Sequence, residues 1–191
     1  MYTISREHLI DYTRNLLNFN PLFFDTETTG VGDKDQVLTI DVLDIDENVE
    51  CSRMYKPTVP IDPKAIAVHG ITEALAAKGL DFNVDFYQVK SLFDGRAVVA
   101  YNAFYDIRIL NQTMAATGKS YPSLTPMICC DAMILYSRFA NVVGPKLDPK
   151  WFKLTEACSR ENVEMGDLKA HNSIDDVIAM IRLMKRIAGA E

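Results

Sequence analysis

Apolar side chains recur at helical spacing near the start of the chain. Between residues 4 and 18, Leu9, Thr13, Leu16 and Leu17 fall three, four or seven positions apart, which predicts a short amphipathic helix. Pro21 follows and ends it, because proline cannot continue a helix.

Three segments after Pro21 are typical of strands. An apolar run over "PLFF" leads into Asp25, and residues 36–46, "QVLTIDVLDID", alternate apolar with polar positions as a half-buried strand does. With "CSRMYKP" at 51–57, these segments predict an antiparallel meander of three strands.

The rest of the chain alternates helical and strand patterns. "NVDFYQVKSLFDG" predicts a helix with Val84, Val89 and Leu92 near one face. Further helices are predicted for "TEALAAKG", for "FYDIRILNQTMAATG" and for 131–140, 153–163 and 173–189, and strands for 96–102 and "PMICCDA". A meander followed by alternating strands and helices predicts an α/β fold with a mixed five-stranded sheet flanked by helices.

Composition narrows the functional classes. The 191 residues are 48% hydrophobic and 24% charged, as in an ordinary globular protein. Lys plus Arg number 20 against 26 Asp plus Glu, for a net charge of −6, so no overall basic field attracts nucleic acid. Binding of a polyanion therefore needs a local positive charge, which divalent cations held by carboxylates would supply.

Cysteine spacing and the hydropathy pattern both indicate a reduced, cytoplasmic protein with no membrane partner. The four cysteines are Cys51, Cys129, Cys130 and Cys158, and none has zinc-site spacing. We expect all four to be reduced core residues, with Cys129 and Cys130 on opposite faces of a strand. No signal-like or membrane-spanning apolar run is present in the sequence.

Asp25 and Glu27 follow the first apolar run directly. Residues two apart on a strand project to the same side, so these carboxylates repel each other unless a positive charge lies between them. The alternative is a solvent-exposed strand end with a turn at Thr28, Thr29 and Gly30.

Two further segments bring acids to helix starts. Asn102 ends a predicted strand and Asp106 opens the next helix, where an acid is also favoured by the helix dipole. Asp176 follows Ser173 by three positions, which also fits a capping box, and His171 lies in the preceding loop. Each feature alone has a structural explanation, but convergence of four carboxylates indicates a divalent metal site.

The motifs "DTETTG", "NAFYD" and "HNSIDD", in this order, resemble those of the DEDDh exonucleases, the family of the proofreading epsilon subunits, exonuclease X and RNase T. The resemblance covers residues 21–188 and implies an RNase H-like fold. Residues 1–191 would then be a single exonuclease domain, with residues 1–20 as an N-terminal helical addition. A tyrosine branch carries Tyr where Asn172 stands, so the histidine branch fits better.

The resemblance also implies the roles of the site residues. Asp25, Glu27, Asp106 and Asp176 would hold two Mg²⁺ or Mn²⁺ ions, and His171 would be the general base. The segment "IDPKAIAVHGIT" resembles the family's substrate-pocket segment. The residues implied to bind substrate are Thr28, Thr29, His69 and Asn102.

Several alternatives stay open at this stage. Asn172 and Ser173 depart from the family, which often has Ala two positions after the histidine, and Lys64 stands where an acid is found in the epsilon subunit. Asp175 is a second candidate ligand, although it would need a different register from His171. Two groups of residues are predicted either to contact nucleic acid or to be ordinary core and loop residues: Phe104 and Tyr105 as stacking surfaces, and Lys146, Lys150, Trp151 and Lys153 as a basic segment.

These features give three functional hypotheses. The first is a 3′-to-5′ exonuclease acting on single-stranded nucleic acid 3′ ends, DNA favoured over RNA. The others are an exoribonuclease or oligoribonuclease of the same fold, and a non-catalytic nucleic-acid-binding accessory subunit. Because the chain stops soon after Asp176, we expect a free-standing enzyme. The sequence does not determine whether a polymerase or a second copy of the chain is a partner.

Overall fold

A mixed sheet at the centre of the computed structural model positions every element of the fold. The structure describes residues 4–118, 122, 124, 126–144, 149–166, 168–169 and 172–189. Within these residues the sheet has five strands, which are β1 (Leu22–Thr28), β2 (Val37–Leu43), β3 (Val49–Met54), β4 (Ala97–Ala100) and β5 (Ile128–Asp131).

Eight helices surround this sheet in the described part of the chain. They are α1 (Arg6–Asn18), α2 (Pro63–His69), α3 (Glu73–Ala76), α4 (Phe82–Phe93), α5 (Ala103–Ala116), α6 (Ala132–Ala140), α7 (Leu154–Arg160) and α8 (Ser173–Ala188). None of the described helices is long and apolar enough to cross a bilayer.

The strand order is β3-β2-β1-β4-β5. β1 pairs antiparallel with β2, and β2 with β3, whereas β1 to β4 and β4 to β5 are parallel. The parallel pairs require crossover connections, which α4 and α5 provide. The predicted mixed sheet, with three antiparallel strands followed by parallel ones, is confirmed.

Successive side chains of β1 enter two different cores. Phe23 packs in the core formed with α1, α6 and α8. Leu22 and Phe24 face the core formed with α4 and α5. Because strand side chains alternate, Asp25 and Glu27 lie on the α8 side, together with Phe23.

The N-terminal helix is where the pattern predicts it. Ser5 caps α1 by accepting a hydrogen bond from the backbone N–H of His8 at 3.2 Å, as N-cap serines do. Its buried residues are Leu9, Thr13, Leu16 and Leu17, the positions that the spacing predicts. The helix packs against α8 and α6.

One prediction about a strand and one about the cysteines are wrong. β2 is buried at every position rather than on one face, because helices cover both sides of the sheet. β1 continues to Thr28, so the strand includes Asp25 and Glu27, as their predicted same-face placement requires. The described cysteines are unpaired, and Cys129 and Cys130 do face opposite ways, but Cys129 is exposed and is no core residue.

Two helices also differ from the sequence predictions. On α4 the buried residues are Phe82, Asp85, Phe86, Val89 and Phe93, while Val84 is 79% exposed. The aromatic spacing therefore determines the buried face. Helix α2 was not predicted; Asp62 caps it and Pro63 occupies its first turn, an arrangement that suits proline because no intrahelical N–H is lost there.

Candidate active site

Asp25 and Glu27 lie side by side on β1 at the middle of the sheet. Both side chains are partly buried, and both face the side covered by α8. Thr26 between them points to the opposite face and is 7% exposed. The predicted same-face placement of the two carboxylates follows directly from the period of the strand.

Asp106 comes to β1 from the first turn of α5. The residue is 2% exposed, and its Oδ1 accepts a hydrogen bond from the hydroxyl of Thr26 at 2.6 Å. Asn102 precedes the helix with a left-handed backbone (φ 78°) and makes no side-chain cap. Asparagine tolerates this conformation better than most residues, and the turn lets the chain pass from β4 into α5.

Asp176 lies in the first turn of α8, the helix that packs over β1 and β2. Asn172, not Ser173, is the N-cap: its side chain accepts from the backbone N–H of Asp175 at 3.2 Å. The alternative explanation for Asp176, a capping box with Ser173, is therefore not what the structure has. Asp175 accepts from the backbone N–H of Lys169 at 3.1 Å, so its carboxylate is bound to the preceding loop.

Neighbouring acids raise the pKa values of Asp25 and Glu27. Burial, followed by the charges of Asp106, Glu27 and Asp176, holds the pKa of Asp25 well above its ordinary value. Burial, then Asp176 and Asp106, raises the pKa of Glu27 to about 7. The pKa of Asp106 also rises to about 7, chiefly through burial, although the bond from Thr26 opposes the rise. The three chain segments thus bring their carboxyls into one field of like charge.

These side chains have the donor chemistry for hard divalent cations. Carboxylate oxygens suit Mg²⁺ and Mn²⁺, and the repulsion among them would be relieved by positive charge. In the described residues no three His, Cys, Asp or Glu side chains are arranged to hold a metal ion as they stand. Four mutually repelling carboxyls without a cation are not expected to point at one centre. The residues fit a divalent cation by composition and proximity.

Asp41 is an acid of this group that the sequence prediction missed. It lies on β2 directly opposite Asp25 and is 5% exposed. Its charge contributes to the raised pKa values of both Asp25 and Glu27. In the sequence, Asp41 is a polar residue within an alternating strand. Because β2 was predicted to be half-buried, its polar residues were expected to face solvent.

The residues predicted around the substrate make contacts within the protein. Thr29 is fully buried, and its hydroxyl donates to Asp35 Oδ1 at 2.7 Å. The hydroxyls of Thr28 and Tyr105 lie 2.7 Å apart, and each is 2.9 Å from the carbonyl oxygen of Gly30. Thr29 therefore holds the loop after β1, and substrate contact by these threonines stays a prediction.

His69 is fixed against the same segment. Its Nδ1 accepts from the backbone N–H of Ile71 at 2.9 Å, so Nε2 carries the proton and donates to the carbonyl oxygen of Thr28 at 3.2 Å. Burial lowers the pKa of this imidazole. A neutral His69 thus links the end of α2 to the end of β1.

Two aromatic residues at the start of α5 differ sharply. Phe104 is 75% exposed, whereas Tyr105 is partly buried and bound to Gly30. Of the two, Phe104 has a ring face available for stacking. The hypothesis that Tyr105 is a stacking surface loses support, because its ring also lies beneath the guanidinium of Arg108.

The predicted basic segment is only partly free to bind a strand. Lys150 pairs with Glu156 and lies 4.5 Å from the ring centre of Phe152. Trp151 is 56% exposed. His171 and Lys146 lie outside the described residues, so the predicted base and one lysine of this segment stay predictions.

A cavity of about 740 Å³ lies between α1, β5 and α6. Tyr12, Cys129 and Arg138 are among its lining residues, and Phe104 borders it. None of the four motif acids is among the described residues that line it. Size alone therefore does not identify the chemically active part of the surface.

Comparison with known proteins identifies the family of the chain. Residues 22–184 match the family described as Exonuclease (RNase_T). Uncharacterized exonuclease CP81 of Escherichia phage 186 is 30% identical over 190 residues, covering 97% of both chains. Exodeoxyribonuclease 10 of Escherichia coli strain K12 is 33% identical over 128 residues, which are 63% of this chain but only 56% of that protein.

A solved structure shows the same fold. Exonuclease X in complex with 5′ overhanging duplex DNA superposes with a TM-score of 0.64 at 20% identity, over 88% of this chain and 92% of that one. The RNase H-like architecture implied by the motifs is thereby confirmed. The chain belongs to the exonuclease family and is a nuclease with the DEDDh-type fold.

Proposed function

We propose that this protein is a metal-dependent 3′-to-5′ exonuclease that releases nucleoside 5′-monophosphates from the 3′ ends of single-stranded DNA. The observation that carries the proposal is the common field of Asp25, Glu27, Asp106 and Asp176, which come from β1, α5 and α8. Structural carboxylates gain nothing from such mutual repulsion, whereas a phosphodiester hydrolase needs an acidic cation site.

The four acids would hold two divalent cations, Mg²⁺ or Mn²⁺. Bound there, the cations would neutralise the carboxylates and stabilise the negative charge that develops on the scissile phosphate. Thr26 holds Asp106 in place through its hydrogen bond, and the first turn of α8 presents Asp176 to β1. The carboxylates for the cations would thus come from three separate elements.

His171 would act as the general base. It takes a proton from a water molecule whose oxygen attacks phosphorus in line with the 3′ oxygen. The new P–O bond forms as the bond to the 3′ oxygen breaks, and that oxygen takes a proton from solvent. The products are a nucleoside 5′-monophosphate and a strand shortened by one nucleotide. General-base catalysis contributes about 10² to 10⁴ in rate.

DNA is favoured because exodeoxyribonuclease 10 and the DNA-bound exonuclease X are among the similar proteins. Phe104, exposed beside Asp106, would offer a stacking surface that accepts any base. Thr28, His69 and Asn102 surround the same end of β1 and would border the terminal nucleotide. A cytoplasmic location fits this assignment.

The test is digestion of end-labelled DNA and RNA oligomers of matched sequence, each blocked in turn at its 3′ or 5′ end. We expect mononucleotide release from free 3′ ends of DNA with Mg²⁺ or Mn²⁺, and none with EDTA. If RNA is cleaved in preference to DNA, the protein is instead an exoribonuclease. Absence of cleavage with either cation would overturn the proposal and favour an accessory binding role.

Variants locate the activity in the proposed residues. Asp176→Asn and His171→Ala should each lower the rate by about 10²-fold or more. Asp175→Asn is the matched control, because the neighbouring acid bonds to the backbone of Lys169 instead. Equal losses in Asp175→Asn and Asp176→Asn would contradict the assigned register of α8.

A further inference from the structure

A buried carboxylate outside the four motif acids stands directly beside them. Asp41 of β2 is the cross-strand partner of Asp25, so their side chains lie on the same face of the antiparallel pair. Only 5% of Asp41 is exposed, and α8 covers this face of β2. Its position is thus inside the acidic cluster and not at its rim.

The two oxygens of Asp41 have different surroundings. Oδ2 accepts a hydrogen bond from the hydroxyl of Ser173. Oδ1 is buried and has no hydrogen-bond partner among the described residues. A buried carboxylate oxygen without a donor is costly. A cation, or water bound to one, would satisfy this oxygen.

Ser173 connects Asp41 to the helix that carries Asp176. It is the first residue of α8, where Asn172 already provides the N-cap, and it is buried. Its hydroxyl is therefore not needed for capping and instead joins β2 to the first turn of α8. Alanine, which the resembled family often has here, could not make this bond.

We propose that Asp41 and Ser173 form a positioning pair for the cation site, with Ser173 holding the first turn of α8 and Asp41 adding a fifth carboxylate. The inference rests on the proposed function. The bond fixes Asp176 relative to Asp25 before a cation arrives, and the free oxygen of Asp41 adds negative charge that attracts it. Supporting contacts of this kind typically change metal affinity by about 10- to 100-fold.

The test measures Mn²⁺ binding by isothermal titration calorimetry on the full chain, without nucleic acid. Ser173→Ala removes the bond and keeps the charge. Asp41→Asn keeps an oxygen that can accept from Ser173 and removes the charge. We expect each variant to bind Mn²⁺ about 10-fold more weakly than the wild type. Asp46→Asn is the matched control, because Asp46 is an exposed acid in the β2–β3 turn.

Thermal unfolding of the metal-free variants checks that each is folded. If either Ser173→Ala or Asp41→Asn binds Mn²⁺ with wild-type affinity, the inference is overturned while the nuclease proposal stands. If the wild type itself binds no Mn²⁺, the metal-dependent function fails as well. Weakening in both variants, with Asp46→Asn unchanged, supports the positioning pair.

Discussion

Glu27→Gln should stabilise the protein when no divalent cation is present. In the folded chain, burial and the charges of Asp176 and Asp106 raise the pKa of Glu27 from 4.5 to about 7. This difference corresponds to a free energy on the order of 3 kcal/mol at high pH, at 1.36 kcal/mol for each pH unit. Glutamine cannot ionise and removes that cost.

The stabilisation should depend on pH with a definite sign. The folded state binds the proton of the Glu27 carboxyl more tightly than the unfolded state does. The wild type therefore keeps the stability linked to Glu27 below about pH 4.5 and loses it as the pH rises through 7. In EDTA at pH 8.5, Glu27→Gln should therefore unfold at a temperature roughly 5 to 10 °C higher than the wild type. At pH 5 the gain should fall below about 1 kcal/mol.

Cation binding should make the wild type more stable than Glu27→Gln. With saturating Mn²⁺ at pH 8.5 the wild type gains stability by mass action, whereas glutamine is a poorer ligand and gains less. The assay is thermal unfolding followed by circular dichroism at both pH values, with EDTA or MnCl₂. Glu50→Gln, an exposed acid on β3, is the control. The reasoning is refuted if Glu27→Gln in EDTA is no more stable than the wild type at pH 8.5, or gains as much at pH 5.

Other predictions concern single contacts. Thr26→Val removes the hydroxyl that donates to the buried Asp106. We therefore expect a loss of about 1 to 3 kcal/mol in unfolding free energy at pH 8.5 and a lower nuclease rate. An unchanged denaturant midpoint and an unchanged rate would disprove this prediction. Tyr55→Phe removes the buried hydrogen bond to Asp85 and should lower the midpoint similarly while leaving the nuclease rate per folded molecule unchanged. Among the cysteines, exposed Cys129 should react first with a maleimide, although burial raises its thiol pKa; mass spectrometry of the native protein would show another site if this is wrong.

Much of the fold could be predicted because its signals are local. The period of two on β1 places Asp25 and Glu27 together, and the leucine spacing of α1 identifies its buried face. Short elements gave weaker signals. Helix α2 has seven residues and buries none of them, so no apolar stripe marks it in the sequence.

The missed parts of the site depend on tertiary packing. Asp41 looks like a solvent-facing residue of an alternating strand until α8 covers β2. Ser173 fits a capping box by spacing, but Asn172 takes the cap and frees the serine hydroxyl for Asp41. Contacts between residues 132 positions apart along the chain leave no local pattern, so sequence reasoning alone did not find this pair.

The helix that carries Asp176 is restrained at both of its ends. Ser173 ties its beginning to β2, and Arg14 of α1 donates from Nε to the carbonyl oxygen of Ala188 at 2.7 Å. Helix ends normally fray first, because their last backbone groups lack intrahelical partners. The N-terminal helix, which precedes the residues matched to the exonuclease family, thus anchors the far end of the helix that carries Asp176.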